Sequence, residues 1–466
     1  MANQWLKKAQ DYKDSYLKDL KELVSIKSVR DDAHATDDYP LGKGPAKALE
    51  KFLSFGKRDG FKTKNLENIV GYIEYGQGDK TLAIQAHADV MPAGDGWETD
   101  PFTMTQKDGN VYGRGTSDDK GPGLAAYYGL RMLKDSGIKP NLKIRFIIGT
   151  DEESQWTGMK HYFSVEPAPT FGFSPDAEFP LINGEKGNAT FETQFGDSNG
   201  VEYTLKSFNS GLRMNMVPGD ATALIDVPDN EKLVDAFTKF LDTHPISGDI
   251  KLTDERMRIH IVGKAAHGME PKNGVNAGTY LATFLNEFNF DGDAENFISF
   301  IAEKLHEDSR AHKIGADHVD SLMGETTMNV AIMKFDHTKG GTVNTNFRYP
   351  QGFSDKDILK KLILAADEYK GEVHQLDNMD PHYVDPKDPI VTTLMKVYQQ
   401  QTGDTKSTPE VVGGGTYARL MDRGVAFGAL FPDTEDTMHQ ANEFQPVNDL
   451  IKAMAIYGQS ISELSK

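Results

Sequence analysis

The chain has 466 residues, of which 38% are hydrophobic and 26% charged, proportions that are ordinary for a soluble globular protein. It contains no cysteine, which excludes disulfides, thiolate nucleophiles and cysteine-ligated metals. The formal charge of −19 disfavours nucleic acid as a partner. The N-terminus lacks the pattern of a signal peptide, and no apolar run is long enough to span a membrane. We therefore expect a cytoplasmic protein that binds neither nucleic acid nor a membrane.

The first part of the chain alternates between helical and strand-like patterns. Apolar residues at helical spacing predict helices over residues 4 to 26, 46 to 56 and 121 to 137. Short apolar runs typical of buried strands occupy residues 69 to 73, 81 to 86, 144 to 148 and 171 to 173. This alternation predicts an α/β domain with a mixed, mostly parallel sheet that helices cover on both faces.

The pattern changes from about Gly187 onward. Half-buried strands are indicated over residues 190 to 227 and 256 to 263, and helices over residues 232 to 241 and 275 to 288. This segment resembles a second, α+β unit. The polar, proline-containing stretch at residues 377 to 389 predicts a linker, after which helical and apolar runs resume.

Three consecutive acids follow one of the predicted strands. In IIGTDEESQWTG, residues 147 to 158, the apolar run ends in Asp151, Glu152 and Glu153. Adjacent carboxylates repel one another unless water or cations separate them. The acids are therefore either a solvated turn or, if the run is a buried strand, ligands at its carboxyl end, where open α/β sheets bind their ligands.

Other histidines and acids follow strand-like runs or lie in polar loops, namely His87, Asp89, Asp118, Asp119, Asp176 and His439. Because residues two apart on an extended segment point the same way, Asp89 can steady the imidazole of His87. Each motif alone is typical of a surface loop or of an acid pair before a helix. Together they predict a nitrogen and oxygen ligand set at one sheet edge, which suits zinc, manganese or cobalt.

Five sequence blocks are specific as a set. They are HADVMP at residues 87–92, GRGTSDDKG at 113–121, GTDEE at 149–153, SPDAEFP at 174–180 and MHQANE at 438–443. With these blocks the chain resembles, along essentially its whole length, the M20 metallopeptidases with two metal ions, and within them the PepV-type dipeptidases of Gram-positive bacteria.

The resemblance implies two divalent metal ions per chain, zinc in the first place, with manganese or cobalt as alternatives. Asp118 is implied to bridge both ions. His87 and Asp176 would complete one site, and Glu153 and His439 the other. The peptide bond that follows Asp118 is expected to be cis.

The resemblance also implies that Glu152 is the general base and does not bind the metals, with Asp89 in a supporting catalytic role beside His87. Physical chemistry agrees with this role for Glu152. A water that bridges two divalent ions loses a proton near neutral pH, and a neighbouring carboxylate can pass that proton to the leaving amine. Glutamate suits the task because its reference pKa lies below 7, so it starts ionised.

Three residues of the second unit are implied to bind substrate. Asn215 and His267 would hold the oxyanion of the tetrahedral intermediate, and Arg348 would bind the terminal carboxylate of the substrate, for which a guanidinium is the natural bidentate partner. Taken alone, these residues are more typical of a backbone cap, a turn histidine and a surface strand arginine, respectively, and it is the family resemblance that favours a functional role.

The loop PEVVGGGTYARL, residues 409 to 420, is typical of a phosphate cradle or of a tight turn. The chain has no phosphate-binding signature of the G-x-x-x-x-G-K-[ST] type. The resemblance implies instead that Gly414, Gly415 and Thr416 line the substrate pocket.

The resulting hypothesis is a dipeptidase with a discontinuous catalytic domain, residues 1–186 and 384–466, and an inserted lid domain, residues 187–383. Its substrates would be dipeptides with a free N-terminus and a free C-terminal carboxylate. Because the large insert can supply His267 within one chain, we expect a monomer.

Two alternatives remain open from the sequence. The same site could remove an acyl group from an N-acyl amino acid, or the chain could be a catalytically silent peptide- or metal-binding protein. Glu152 argues against the silent protein, since a binder needs metal ligands but no base beside them. Arg348 and the large insert favour dipeptides over N-acyl amino acids.

Overall fold

The computed structural model describes residues 2–197, 203–227, 230–253, 256–290 and 292–466. Its α-helices are α1 Ala2–Val24, α2 Lys43–Arg58, α3 Lys120–Asp135, α4 Thr157–Val165, α5 Asn230–Thr243, α6 Ala277–Leu285, α7 Gly292–Ser299, α8 Asp355–Asp367, α9 Pro389–Thr402 and α10 Val447–Leu464. None of the helices in these ranges has the length and apolar character needed to cross a membrane.

The strands up to residue 226 are β1 Lys62–Leu66, β2 Val70–Gly76, β3 Thr81–His87, β4 Thr105–Lys107, β5 Asn110–Tyr112, β6 Lys143–Gly149, β7 Phe171–Ser174, β8 Ala177–Glu178, β9 Ile182–Glu185, β10 Gly187–Phe195, β11 Thr204–Ser210, β12 Met216–Val217 and β13 Asp220–Asp226. The later strands are β14 Ser247–Thr253, β15 Arg256–Val262, β16 Ala266–His267, β17 Val319–Asp320, β18 Gly324–Glu325, β19 Thr327–Asp336, β20 Gly340–Tyr349, β21 Glu372–Met379, β22 His382–Tyr383, β23 Glu410–Val412, β24 Gly424–Ala426, β25 Ala429–Leu430 and β26 Phe444–Pro446.

The chain divides into two compact units. The first comprises Met1–Gly184, Tyr383–Val411 and Gly415–Lys466, and the second comprises Glu185–His382 and Val412–Gly414. The short segment Val412–Gly414 joins the second unit because its carbonyls accept hydrogen bonds there, at 2.9 Å from the Lys186 backbone N to Val412 O and at 2.8 Å from Arg348 Nη1 to Gly413 O.

The first unit contains a mixed sheet in the order β1-β2-β6-β3-β7-β24-β9-β22, with β23 paired to β9. Strands β6, β3, β7 and β24 run parallel in its centre, and antiparallel pairs flank them. The central strands are buried almost throughout, as expected of parallel strands with helices packed on them. The predicted α/β class with a mixed sheet is confirmed.

Helices α3 and α10 pack against each other at unusually short range. A Cβ atom on Gly129 would lie 2.8 Å from the backbone N of Gly458, so only glycine at position 129 allows this approach. Helix α3 begins at Lys120, directly after Asp118 and Asp119.

The register of the central strands brings their carboxyl ends together. His87, the last residue of β3, pairs with Gly149, the last residue of β6, and Ile84 of β3 pairs with Phe173 of β7. The acids that follow β6 and the acid that follows β7 therefore start beside His87, at the edge where such sheets bind ligands.

The second unit contains an antiparallel sheet in the order β14-β15-β13-β11-β19-β20-β10-β21, with α5 to α8 in the same unit, which is the predicted α+β arrangement. The prediction of a linker at residues 377–389 was wrong for its first part, because β21 continues to Met379 and β22 follows. This segment is polar because β21 is an exposed edge strand rather than a connection. Residues 198–202, within one predicted strand region, lie outside the described residues.

Candidate metal centre

Six side chains of the first unit form two candidate metal-binding groups. Within each group the donor atoms all lie within 4.8 Å of one another, and the groups are His87, Glu152 and Asp176, and Asp118, Glu153 and His439. The tertiary structure thus brings together the five residues predicted as metal ligands and the residue predicted as the base, although they come from five separate parts of the chain.

Asp118 is a member of the second group and also contacts the first. Its Oδ1 is 2.9 Å from His87 Nε2, and its Oδ2 is 2.9 Å from His439 Nε2. The same histidine nitrogens lie 3.7 Å from Asp176 Oδ2 and 3.1 Å from Glu153 Oε1, respectively. Each oxygen of the Asp118 carboxylate therefore faces a different group, which is the geometry that a bridging ligand requires.

Asp89 contacts both a predicted metal ligand and the predicted base. His87 Nδ1 lies 3.0 Å from the backbone O of Asp89 and 3.3 Å from its Oδ1; because these oxygens only accept, Nδ1 donates to them, and Nε2 is the nitrogen left to face a metal ion. The Asp89 carboxylate also accepts hydrogen bonds from the backbone N–H groups of Glu152, at 3.1 Å, and Glu153, at 3.2 Å. The sequence indicated only the first of these contacts.

Asp151, the first of the three consecutive acids, belongs to neither metal-binding group and has a different role. Its carboxylate accepts hydrogen bonds from the backbone N–H groups of Thr157, at 2.6 Å, and Gly158, at 3.1 Å, in the first turn of α4. Trp156 Nε1 donates to the backbone O of Glu152 at 2.7 Å and holds the run from the other side. The adjacent acids are thus separated by different partners.

The buried carboxylates of the centre oppose one another's ionisation. Burial, together with repulsion from Asp176, raises the pKa of Glu152 well above its usual range, and burial with repulsion from Asp118 raises the pKa of Glu153 to about 8. Burial alone would also raise the pKa of Asp118, but hydrogen bonds from the two histidines hold that pKa well below its usual range. Charged acids this close need positive partners.

Among the described residues, His87 and His439 are the positive partners of these acids. Burial would lower the pKa of His439, yet Asp118 and Glu153 raise that pKa to about 11. In His87, too, the neighbouring carboxylates outweigh burial and raise the pKa well above the usual value. A dense set of nitrogen and oxygen donors with an excess of buried negative charge fits divalent cations, whose binding would displace protons from both histidines.

Glu443 is a residue of this centre that sequence reasoning missed. It is fully buried, and its carboxylate accepts hydrogen bonds from the backbone N–H groups of Gly115, at 3.1 Å, Ser117, at 2.8 Å, and Asp118, at 3.1 Å. Arg114 Nη1 donates to the same carboxylate at 2.8 Å. Glu443 thereby fixes the loop that carries Asp118, including the cis peptide bond after it.

A signal for Glu443 was present in the sequence, since it is the last residue of the MHQANE block that contains His439. The block places His439, a predicted metal ligand, four residues from Glu443, which supports the predicted ligand Asp118, so one loop contacts both parts of the centre.

We expect Glu443→Gln to weaken metal binding by about ten- to a hundredfold, because the amide replaces an acceptor that orients a ligand. Metal affinity measured by titration calorimetry checks this. Glu74→Gln is the matched control, because Glu74 also pairs with a largely buried arginine, Arg145, at 2.9 Å, but is not part of either metal-binding group. Unchanged metal affinity in Glu443→Gln would contradict the role.

The second unit holds Asn215 and His267 next to each other. Strands β12 and β16 pair Met216 with His267, and the backbone N of Gly268 donates to Asn215 O at 2.7 Å. His267 Nδ1 accepts a hydrogen bond from the backbone N–H of Met269 at 3.1 Å. A neutral His267 therefore carries its proton on Nε2, the tautomer that can donate from that nitrogen.

Arg348 and Asn215 line one cavity of about 360 Å³ in the second unit. Arg348 Nε donates to Asn346 Oδ1 at 3.1 Å, and Asn346 Nδ2 donates to Asn188 Oδ1 at 2.7 Å and to Thr190 Oγ1 at 2.9 Å. Since these acceptors fix the Asn346 amide, they also fix the plane of the guanidinium.

The glycine loop contributes differently at each position. Gly414 belongs to the second unit, and a Cβ atom there would meet nothing within 4 Å. Gly415 and Thr416 belong to the first unit, where Thr416 Oγ1 caps the short 3-10 helix Tyr417–Leu420 by accepting from the Ala418 backbone N at 3.2 Å. The predicted lining of a substrate pocket by these residues stays a prediction.

Comparison with known proteins agrees with this centre. The sequence pattern of peptidase family M20/M25/M40 matches residues 83–463. The chain belongs to this family. The predicted M20 membership and the prediction of a peptide hydrolase are thereby confirmed.

Individual known proteins resemble the chain over nearly its whole length. The beta-Ala-Xaa dipeptidase of Lactobacillus delbrueckii subsp. lactis is 46% identical over 463 residues, which cover 98% of this chain and 97% of the relative. The di-peptidase Dug1p from Saccharomyces cerevisiae shares the fold with a TM-score of 0.58 at 15% identity, covering 99% of each chain. The Bacillus subtilis YXEP protein, described as a dinuclear metal-binding M20 peptidase, shares it with a TM-score of 0.52 at 9% identity, covering 98% of this chain and 99% of that one.

Proposed function

We propose that this M20 protein is a metal-dependent dipeptidase that hydrolyses dipeptides with a free N-terminus and a free C-terminal carboxylate. The observation that carries the proposal is the Asp118 carboxylate, whose oxygens each lie 2.9 Å from a histidine of a different metal-binding group, with Glu152 beside them. The name of the Lactobacillus relative, a beta-Ala-Xaa dipeptidase at 46% identity, supports the substrate class.

Two divalent ions fit the donors of the centre. His87 and Asp176 would hold one ion, Glu153 and His439 the other, and Asp118 both. The donors are nitrogen and oxygen only, which suits zinc and also manganese or cobalt. When bound, the ions would lower the pKa of a water molecule and polarise the scissile carbonyl.

Glu152 is the general base in this proposal. Its carboxylate takes a proton from the attacking water and returns it to the leaving amine. In the metal-free protein, burial and the nearby Asp176 raise the pKa of Glu152; bound cations would favour its ionised form, which is the form that accepts a proton. Asp89 keeps the base in place through the Glu152 backbone N–H and orients His87 at the same time.

Asn215 and His267 stabilise the oxyanion. Both are polar donors held side by side by the pairing of β12 with β16. His267 suits this role because the hydrogen bond from Met269 to Nδ1 leaves the proton on Nε2. A donor placed where negative charge develops stabilises the transition state more than the ground state.

Arg348 binds the terminal carboxylate of the substrate, with Gly414, Gly415 and Thr416 lining the pocket. The Asn346 amide holds the guanidinium plane, which preorganises a charge-assisted contact. A carboxylate clamp at a fixed place selects short substrates, since a longer peptide has its terminal charge elsewhere.

We further propose that residues 187–383 are a lid on a catalytic domain of residues 1–186 and 384–466, and that the protein acts as a monomer. The physical reason is that the long insert carries Asn215, His267 and Arg348 in the same chain as the metal ligands. Activity per chain that stays constant on dilution would support the monomer, and a steep fall would exclude it.

A substrate panel on metal-loaded protein tests the proposed function. We expect dipeptides to be cleaved faster than tripeptides, dipeptide amides and N-acyl amino acids. Arg348→Ala should lower kcat/KM for dipeptides by about ten- to a hundredfold, the typical loss of a charge-assisted hydrogen bond, and should affect dipeptide amides far less.

Arg256→Ala is the control for this variant, because Arg256 is a strand arginine of the same unit that pairs with Asp226 at 3.2 Å and is half exposed. It should leave kcat/KM unchanged. Faster cleavage of N-acyl amino acids would instead identify a deacylase, and amides or tripeptides cleaved as fast as dipeptides would exclude the carboxylate clamp.

A further inference from the structure

Strand β19 carries two buried polar side chains on one face. Thr327 and Asn329 are two residues apart, so they point to the same side of the sheet, and their exposed fractions are 3% and 0%. Asn329 Nδ2 donates to Met214 O at 3.1 Å and to Met216 O at 2.9 Å. These two carbonyls flank Asn215 in the chain, so a single amide spans the backbone on both sides of Asn215.

Thr327 has the corresponding contact near His267. Its Oγ1 donates to Met269 O at 3.0 Å, and the backbone N–H of Met269 in turn donates to His267 Nδ1 at 3.1 Å. Thr327 therefore holds the residue that sets the tautomer of His267. One face of one strand thus contacts the supports of both proposed oxyanion donors.

Gly268 connects the segment of His267 with the segment of Asn215. Its backbone N donates to Asn215 O at 2.7 Å, and a Cβ atom on Gly268 would lie 2.8 Å from Asn329 Nδ2. The two segments that carry Asn215 and His267 therefore touch each other and Asn329 at the same point. A shift of the Asn329 side chain would move both segments.

The hydrogen bonds of Asn329 indicate that it positions the backbone beside Asn215 rather than adding to the stability of the folded protein. Two carbonyl oxygens require the amide to present its N–H groups to them, which fixes its orientation. Among the residues that the structure describes, its Oδ1 has no hydrogen-bond partner. A buried acceptor without a donor lowers stability. Asn329 therefore holds the Met214–Met216 segment although its own Oδ1 lowers the stability of the second unit.

We propose that Asn329, assisted by Thr327, is a positioning residue that sets the distance and orientation between Asn215 and His267. This inference rests on the proposed function of those two residues as oxyanion donors. Asn329 does not touch the substrate in this role; it acts through the backbone of its neighbours.

Asn329→Asp tests the proposal, because it keeps the shape of the side chain but replaces the N–H donors by an oxygen facing the two carbonyls. Loss of a whole oxyanion donor lowers kcat by about 10²–10³-fold. We therefore expect a displaced pair to lower kcat by about ten- to a hundredfold, with KM changed less than about threefold, since the contact strengthens only in the transition state.

Asn344→Asp is the matched control. Asn344 is a buried asparagine of the neighbouring strand β20, and its Nδ2 donates to Glu192 Oε2 at 3.1 Å instead of to the loops. Its kcat should stay within about twofold of the parent. An equal loss of kcat in both aspartate variants would overturn the proposal, because the effect would then be general.

A double-mutant cycle separates positioning from a general structural effect. In an Asn215→Ala background, Asn329→Asp should lower kcat by no more than about twofold further, because the group that it positions is already absent. Fully multiplicative losses would overturn the proposal. Wild-type kcat in the Asn215→Ala and His267→Ala variants themselves would instead overturn their proposed oxyanion role.

Thr327→Val tests the proposed positioning role if Asn329→Asp does not fold. Valine has nearly the shape of threonine but lacks the hydroxyl that holds Met269. We expect kcat to fall severalfold in the parent and to stay within about twofold in a His267→Ala background. An unchanged kcat in folded Thr327→Val would overturn the proposal.

Discussion

Glu152→Gln is expected to lower kcat by about 10²–10⁴-fold while the protein still binds its full complement of divalent ions. The amide has the size of the carboxylate but cannot take a proton, so the attacking water loses its base. The centre should keep its ions because Asp118 and the two histidines still supply donors to both groups. Steady-state kinetics and elemental analysis of the same sample measure the two quantities.

This experiment also distinguishes a base from a metal ligand at Glu152, since its position is compatible with both roles. Glu152 lies in one group with His87 and Asp176, with donor atoms within 4.8 Å. If Glu152 were a ligand instead of the base, Glu152→Gln would lose one ion together with its activity. Glu178→Gln is the control, since this exposed acid of the same unit should leave kcat unchanged; a large loss there and none in Glu152→Gln would transfer the base role to Glu178.

Asp118→Asn is expected to weaken the binding of both ions together, by more than about a hundredfold each, and to abolish activity at ordinary metal concentrations. Replacing a residue that merely orients a ligand already costs about ten- to a hundredfold, and Asp118 faces a histidine of each group with a separate oxygen. The asparagine keeps one oxygen but loses the negative charge that serves both groups. Titration calorimetry on chelator-treated protein measures the two affinities.

Asp176→Asn is the comparison for this variant, because Asp176 belongs to only one group. It should weaken one ion and leave the other bound. Excess chelator should abolish the activity of the parent, and zinc, manganese or cobalt should restore it. Full activity after complete removal of divalent ions, or an Asp118→Asn variant that loses a single ion, would exclude the bridged centre.

The elements of the first unit follow from local sequence patterns. The apolar run that became β6 and the acids after it were recognisable, because a buried central strand has to be apolar throughout and its end is the place where polar residues resume. The pattern was less informative for β21, whose exposed edge position gives it the composition of a linker. A strand that buries neither face leaves no periodicity to detect.

The residues of the two candidate metal-binding groups were recognisable for a similar reason. Each follows a predicted strand or lies in a distinctive block, and metal binding restricts the residue types to a few. Supporting residues carry no such restriction. Glu443 bonds to backbone N–H groups and Asn329 to backbone carbonyls, and a backbone amide or carbonyl leaves no mark in the sequence of the residue that provides it.

The sequence by itself determined helices α1 to α3, strands β2, β3, β6 and β7, the residue types of the centre and the membership of the M20 family. Only the tertiary structure decided which donors share a group and that Asp118 faces a histidine of each group. Those facts depend on contacts between residues far apart in the chain, such as the contact of Glu443 with Gly115, which are 328 positions apart. Local periodicity reflects only which side of an element is buried; the partner that a buried polar group finds is set by the packing of whole elements against one another.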